Sequence, residues 1–381
     1  MSAQFTAASV PSPPKASPTL RAACFVYAAL IVYASLHPFA GWQQLGVSPL
    51  AWTTAPWPRW ITPFDVASNI VAYAPLGALA VLALSPRWRV RSAVLIATFG
   101  CGLLSAVLES AQTWLPHRVA SNVDFIDNLA GAAIGAIAVA PFVARLLGDT
   151  RLRDLRRRWF APEASRGLIL IALWLAAQLY PQAMLFGIGR FLEPLIDTIE
   201  ALAGADPLEA DSLVLFAPRD AALAETACSA AALAGACMLL LLQIRRDGPR
   251  MALLVAFIAA ALVTRSFANA VAFGFDNLAS WATPGARLGV STGVLLILAA
   301  SYAPDRVQRL FAIGLLAGSL LIVNLMPENP YFSATLAGWW QGPWINLNGL
   351  LQLLGAWWPV IALVHLSRGR KAHPTRMAGS S

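Results

Sequence analysis

Long apolar stretches alternate with short polar ones along most of the chain. The apolar runs fall near residues 20–37, 65–84, 92–110, 124–145, 167–186, 225–244, 251–271, 287–303, 308–326 and 349–367. Each is close to the roughly 20 residues that a helix needs to cross a hydrocarbon core. A bilayer admits only helices and closed barrels, and the alternating ten-residue segments of a barrel are absent. The pattern therefore predicts an all-α fold, a polytopic helical membrane protein of about ten transmembrane helices.

The polar segments set the expected domain organisation. Residues 1–19, rich in Ser, Pro and Ala, read as a disordered tail. Residues 20–147 hold four spans, and 148–166 form a basic cytoplasmic linker. Residues 167–367 hold six more spans, and 368–381 a basic cytoplasmic tail. A cleaved signal peptide is the rival reading of the first run, but the long leader and the many later spans favour an uncleaved helix. The loop at 39–64 carries Trp42, Trp52, Trp57 and Trp60, residues suited to the membrane–water interface. The acidic loop at 187–224 places Leu192, Leu195, Ile196, Ile199 and Leu202 at helical spacing, which predicts a helix lying in the interface.

Composition sharpens the class. The chain is 58% hydrophobic and 12% charged, against about 25% charged in soluble domains. The net charge of +8 would suit nucleic acid, but the basic residues sit in the short loops between spans, so no nucleic-acid partner is expected. Of the 27 Lys and Arg, 21 fall on the face shared by both termini. The positive-inside rule then places both termini in the cytoplasm. The four cysteines, Cys24, Cys101, Cys228 and Cys237, all lie inside apolar runs without a C-x-x-C pair. They read as small buried hydrophobes rather than disulfide or zinc ligands. No cofactor is expected.

The candidate chemistry concentrates between Glu109 and Gly135, where one apolar helix ends and another begins. Ionisable groups near hydrocarbon are costly and usually functional. Glu109 and Gln112 share a helical face with Ser105, and Asp124 shares one with Asp127, Asn128 and Gly131. On the preceding span Asp65, Asn69 and Tyr73 line up at successive turns. Gly131 and Gly135 have the spacing that lets two membrane helices approach closely. Arg118, between the two groups of carboxylates, could hold a carboxylate or a phosphate with its guanidinium fork.

Three readings of this constellation stay open. In a structural lock, Arg118 pairs with Glu109 or Asp124 while Asp124 and Asp127 cap the next helix. In a ligand-binding or catalytic pocket, Glu109 and Asp124 are the candidate acid and base. A metal site would draw on Asp65, Glu109, Asp124 and Asp127, although their spacing matches no defined loop. His117 reads as a solvated loop residue. In the second half Arg265, Asn269, Asp276, Asn277, Asn324, Glu328, Asn346 and Asn348 are scattered polar groups, each read first as a helix-packing or interface residue.

The ordered motifs are Asp65…Asn69…Tyr73-x-Pro75-Leu76-Gly77, Glu109-Ser-x-Gln112, Leu115-Pro-x-Arg118 and Ser121-x-x-Asp124-x-x-x-Asn128-x-x-Gly131-x-x-x-Gly135. In this order they resemble the VanZ-like family of bacterial membrane proteins, named after a teicoplanin-resistance accessory protein. The resemblance covers about residues 24–147, and the six further spans exceed the usual four-helix module. It implies a place in the bacterial inner (cytoplasmic) membrane, an envelope role and a link to teicoplanin-type antibiotic resistance. It supplies no reaction mechanism.

Together these observations lead to an expected outward-facing polar site engaging a lipid-linked glycan or other cell-wall or surface precursor, amid membrane lipids. Its residues would be Asp65, Asn69, Tyr73, Glu109, Gln112, Arg118, Ser121, Asp124, Asp127 and Asn128. The rivals are a membrane hydrolase or transferase, a lipid or glycan translocase, and a structural scaffold of an envelope complex.

Overall fold

The computed structural model describes residues 18–37, 39, 41–58, 61–85, 87–116, 118–148, 150–192, 195–196, 220–326, 336 and 345–368. Helices dominate throughout, and among the described residues the only β-type pairing is an isolated bridge between Phe160 and Ile244. Among the described residues eight helices are long and apolar enough to cross a membrane, so the protein is a multi-pass membrane protein. Two further apolar helices, Ser165–Ala177 and Pro284–Ala300, are shorter. The chain divides into two compact units, Met1–Leu155 with Pro343–Leu350, and Arg156–Gly342 with Leu351–Ser381.

The first unit contains α1 (Pro18–Leu36), α2 (Pro63–Leu84), α3 (Val90–Gln112), α4 (Asn122–Val139) and α5 (Val143–Gly148), followed by α6 (Thr150–Trp159) at its boundary. Local chemistry fixes where these helices start. Thr62 and Asp65 form a reciprocal capping box ahead of α2, and Pro63 occupies the first turn, where no N–H is needed. Ser121 caps α4 by accepting from the N–H groups of Val123 and Asp124. Tyr27 on α1 donates to the carbonyl of Ala72 on α2 at 3.0 Å. Ile31, Leu36, Tyr73, Leu76, Cys101, Leu108, Leu115 and Ala132 form the core around the site.

The second unit contains α7 (Ser165–Ala177), α8 (Ala221–Leu241), α9 (Arg250–Phe273), α10 (Pro284–Ala300), α11 (Asp305–Leu325) and most of α12 (Ile345–Ser367). Helix α8 is apolar on every side and forms its centre. Trp174 is fully buried against Phe186, Phe257 and Trp358. The apolar run at 167–186 suggests one continuous span, yet α7 stops at Ala177. Beyond it the chain is non-helical from Gln178 to Phe191, with Pro181 and the positive-φ residues Phe186 and Gly189 in its path. Non-helical backbone survives inside apolar surroundings only where protein groups satisfy it. Here Arg265 donates to the carbonyls of Tyr180 and Gln182 at 2.9 and 2.6 Å. Asn324 donates to Gly189 O and accepts from the N–H groups of Phe191 and Leu192. The interfacial helix expected within 187–224 lies mostly outside the described residues.

The described cysteines are all free, three of them buried and Cys24 half-buried.

Candidate functional site

The site is built by two helices that touch backbone to backbone. A Cβ at Gly77 would overlap the carbonyl of Ala132, one at Gly131 the carbonyl of Ile70, and one at Gly135 the carbonyl of Ala74. Only glycine permits that approach, which is how small residues act in membrane helix pairs. The Gly131-x-x-x-Gly135 spacing thus marks the α2–α4 seam. The seam also sets the register. With Ile70 against Gly131, Asn69 on α2 reaches Asp124 on α4, donating from Nδ2 to Oδ1 at 3.0 Å. These residues are 55 positions apart in sequence.

Helix α3 closes the third side. Glu109 is 3% exposed, and its Oε2 accepts from the N–H of Ser121 at 2.8 Å. One carboxylate therefore fastens the end of α3 to the start of α4. Deeper, Asn128 Nδ2 donates to Ser105 Oγ at 3.0 Å. Tyr73 lies beside Ser105 on the α2 side without completing a hydrogen bond to it. The hydroxyl of Tyr73 and the amide oxygen of Asn128 are both buried with no partner. The same holds for Asp127 Oδ2, on a half-buried side chain. The result is a buried polar cluster in the cleft where three helices meet, holding the carboxylates of Glu109 and Asp124 and the unengaged Tyr73 Oη and Asn128 Oδ1.

Other expected site residues serve the walls. Asp65 Oδ2 accepts from both the hydroxyl and the N–H of Thr62, so its carboxylate is engaged in the capping box. Gln112 donates to Ser35 O at 3.0 Å. Arg118 donates through Nη2 to His37 O at 2.5 Å and more weakly to Ala34 O at 3.4 Å. Both thus hold the carbonyls that α1 leaves open at its C-terminus, where cations are favoured. Glu109 and Asp124 instead take Ser121 N and Asn69, so the Arg118–carboxylate pairing of the structural lock is not how the hairpin is tied. Asp124 is not the cap either; Ser121 is. Burial lowers the pKa of Arg118, and burial together with the Arg118 cation lowers that of His37. His37 is thereby held toward its neutral form. His117 lies outside the described residues.

Sequence reasoning left three contributors out of the site. Ser105 is the hydroxyl that Asn128 engages, and its helical spacing from Glu109 signalled it. Trp52 is 6% exposed rather than an interface anchor. Its indole donates to Ser110 Oγ at 3.2 Å and stacks near Phe125, ring centroids 5.3 Å apart. Asn122 donates to Ala55 O at 2.7 Å. The Trp-rich loop is thus folded over the ends of α3 and α4, a placement with no local signal. The remaining tryptophans differ: Trp42 and Trp57 are exposed, while Trp60 lies outside the described residues.

The metal alternative does not assemble: among the described residues no three His, Cys, Asp or Glu side chains converge. In the second unit Arg265 and Asn324 are main-chain supports, Asn269 donates to Ser280 Oγ, and Asn277 to Phe273 O. Glu328 and the Asn346 side chain fall outside the described residues.

A family model described as VanZ/LLP1 matches residues 7–144. The match covers the four long helices of the first unit and every residue of the cleft. Neither a curated protein nor a solved structure matches the chain.

Proposed function

We propose that this is a bacterial inner-membrane protein of the cell envelope whose cleft faces outward, a reading supported by the VanZ/LLP1 family model that matches residues 7–144. In this reading the cleft engages the hydroxyl-rich part of a lipid-linked glycan or related surface precursor. The observation that carries the reading is the pair of buried, unpartnered polar atoms, Tyr73 Oη and Asn128 Oδ1, in the cluster with Glu109 and Asp124. Leaving a buried polar group unsatisfied costs about 1–3 kcal/mol, a cost that a bound hydroxyl removes. Sugar hydroxyls donate to carboxylates and amide oxygens and accept from a phenol, which is the set of atoms the cleft offers. Glu109, Asp124, Asn128 and Tyr73 would contact the ligand, with Asp127 at the mouth. Asn69 and Ser121 would position the carboxylates. Asp65, Gln112 and Arg118 would hold the helix ends that form the walls.

Tyr73→Phe tests this reading directly. The substitution removes only a hydroxyl that bonds nothing in the protein, so folding should be unchanged or improved. A deletion strain would be complemented with wild type, Tyr73→Phe or Glu109→Gln at matched protein levels. Lipids and lipid-linked glycans would be profiled by mass spectrometry. The expected outcome is a precursor that accumulates in the deletion and is not cleared by Tyr73→Phe. A wild-type profile with both variants would sink the proposal. Turnover of a purified precursor in detergent, lost in Glu109→Gln, would instead favour the acid–base enzyme.

A further inference from the structure

A second feature of the α2–α4 pair lies toward the opposite end of these helices. Val71, Ala74, Pro75 and Ala78 on α2, with Gly135, Ala138 and Val139 on α4, line a groove of about 610 Å³ that continues past Phe142 to Arg145 and Leu146. The groove follows from the sequence. The small side chains that let the backbones meet also leave a furrow beside the seam, and Pro75 withholds the N–H that would bond Val71 O. Val71, Phe142 and Leu146 are exposed along it. Its lining is apolar except at one end, where Arg145 is the single charged residue. No hydrogen bond or ion pair engages Arg145 among the described residues. Arg145 stands 21 positions beyond Asp124 on α4 and its continuation α5, or roughly 30 Å along the helix axis at 1.5 Å per residue. The polar cleft and this arginine therefore mark opposite membrane interfaces.

An apolar furrow that ends in an unpartnered guanidinium matches an acyl chain carrying a phosphate. A guanidinium takes a phosphate with two parallel hydrogen bonds, and basic groups at a membrane surface favour anionic lipids. We propose that this groove is a binding site for one anionic phospholipid, with its acyl chain between α2 and α4 and its phosphate on Arg145. The site stands independently of what the polar cleft binds.

The test uses the delipidated full-length protein in detergent. Retention of phosphatidylglycerol and of phosphatidylcholine would be compared at equal concentrations by native mass spectrometry. Wild type should prefer phosphatidylglycerol by about fivefold, the share of one basic residue near the surface. Arg145→Gln should abolish the preference by lowering phosphatidylglycerol retention more than that of phosphatidylcholine, whose phosphate is already offset by its own choline cation. Ala138→Trp should fill the furrow and lower the retention of both lipids. Arg145 is exposed, so its substitution does not threaten folding and carries the test alone if Ala138→Trp fails to fold. A wild type with no preference, or an Arg145→Gln protein that keeps it, overturns the proposal. So does a folded Ala138→Trp protein that retains both lipids as well as wild type does.

Discussion

Both units bury polar side chains and leave some of their atoms unpartnered, but the second also commits several of them to a non-helical stretch of main chain. In the second, Arg265 through Nη1 and Nη2, and Asn324 through Nδ2, donate to main-chain oxygens of the non-helical segment after α7, while Arg265 Nε has no partner. Gln308 likewise donates to Ala300 O and Ser301 O while accepting from Arg250. In the first unit Tyr73 and Asn128 are as deeply buried, yet each keeps an atom with nothing to bond. The same residue chemistry is scaffold in one place and open valence in the other. The break after α7 draws on Arg265 and Asn324, yet Gln178 at its start keeps both amide atoms unpartnered, as Tyr73 and Asn128 each keep one among three intact helices. Helix α8 differs in burial as well: most of it is enclosed by protein, whereas most of α2 is not.

The largest expected effect is at the seam that creates the cleft. Gly135→Leu forces a side chain into the Ala74 carbonyl, and overpacking at a rigid contact costs typically 1–3 kcal/mol and more where backbone must move. Loss of monodisperse protein on gel filtration is the expected outcome. A fully folded Gly135→Leu protein would mean that α2 and α4 do not meet as closely as described.

Arg265→Leu comes next. It leaves the carbonyls of Tyr180 and Gln182 without their donor, at about 1.5–3 kcal/mol for each charged hydrogen bond lost. A thermal melt in detergent should show a drop of that order, while the precursor profile of surviving protein stays wild type. A selective change in the profile at matched abundance would break the scaffold assignment.

Gln178 tests the comparison from the other side. It is fully buried in the second unit, and both atoms of its amide lack partners, as does Trp174 Nε1 one turn earlier. With Ser229 Oγ, Asn269 Oδ1, Arg250 Nε and Arg265 Nε, this pair shows that the second unit also leaves buried polar atoms without partners. Gln178→Leu should raise stability by about 1–3 kcal/mol by removing an unsatisfied amide. Destabilisation would show that ordered water or another group completes the amide.

The smallest effect on stability, and the largest on function, is expected from Tyr73→Phe. Its melting temperature should equal or slightly exceed that of wild type. A fall of more than about 1 kcal/mol, the net worth of one hydrogen bond, would show that the hydroxyl has a structural partner, and Tyr73 would move to the scaffold side.

Much of this was legible along the chain. Apolar length determined the membrane-spanning helices, because a bilayer leaves the backbone no other way to satisfy its own hydrogen bonds. Gly131 and Gly135 marked a seam through what they lack. Glu109, Asp124 and Asn128 were conspicuous as polar groups in a chain with few. Tertiary structure alone decided which partner each received. That Asn69 meets Asp124, that Ser121 N meets Glu109, and that Arg118 and Gln112 turn to the end of α1 depends on helix register. The end of α7 at Ala177 was likewise hidden in an apolar run, because the donors that make it tolerable come from α9 and α11, more than eighty residues away in sequence. Hydropathy is a property of each segment by itself, whereas hydrogen-bond partnership is a property of how segments pack.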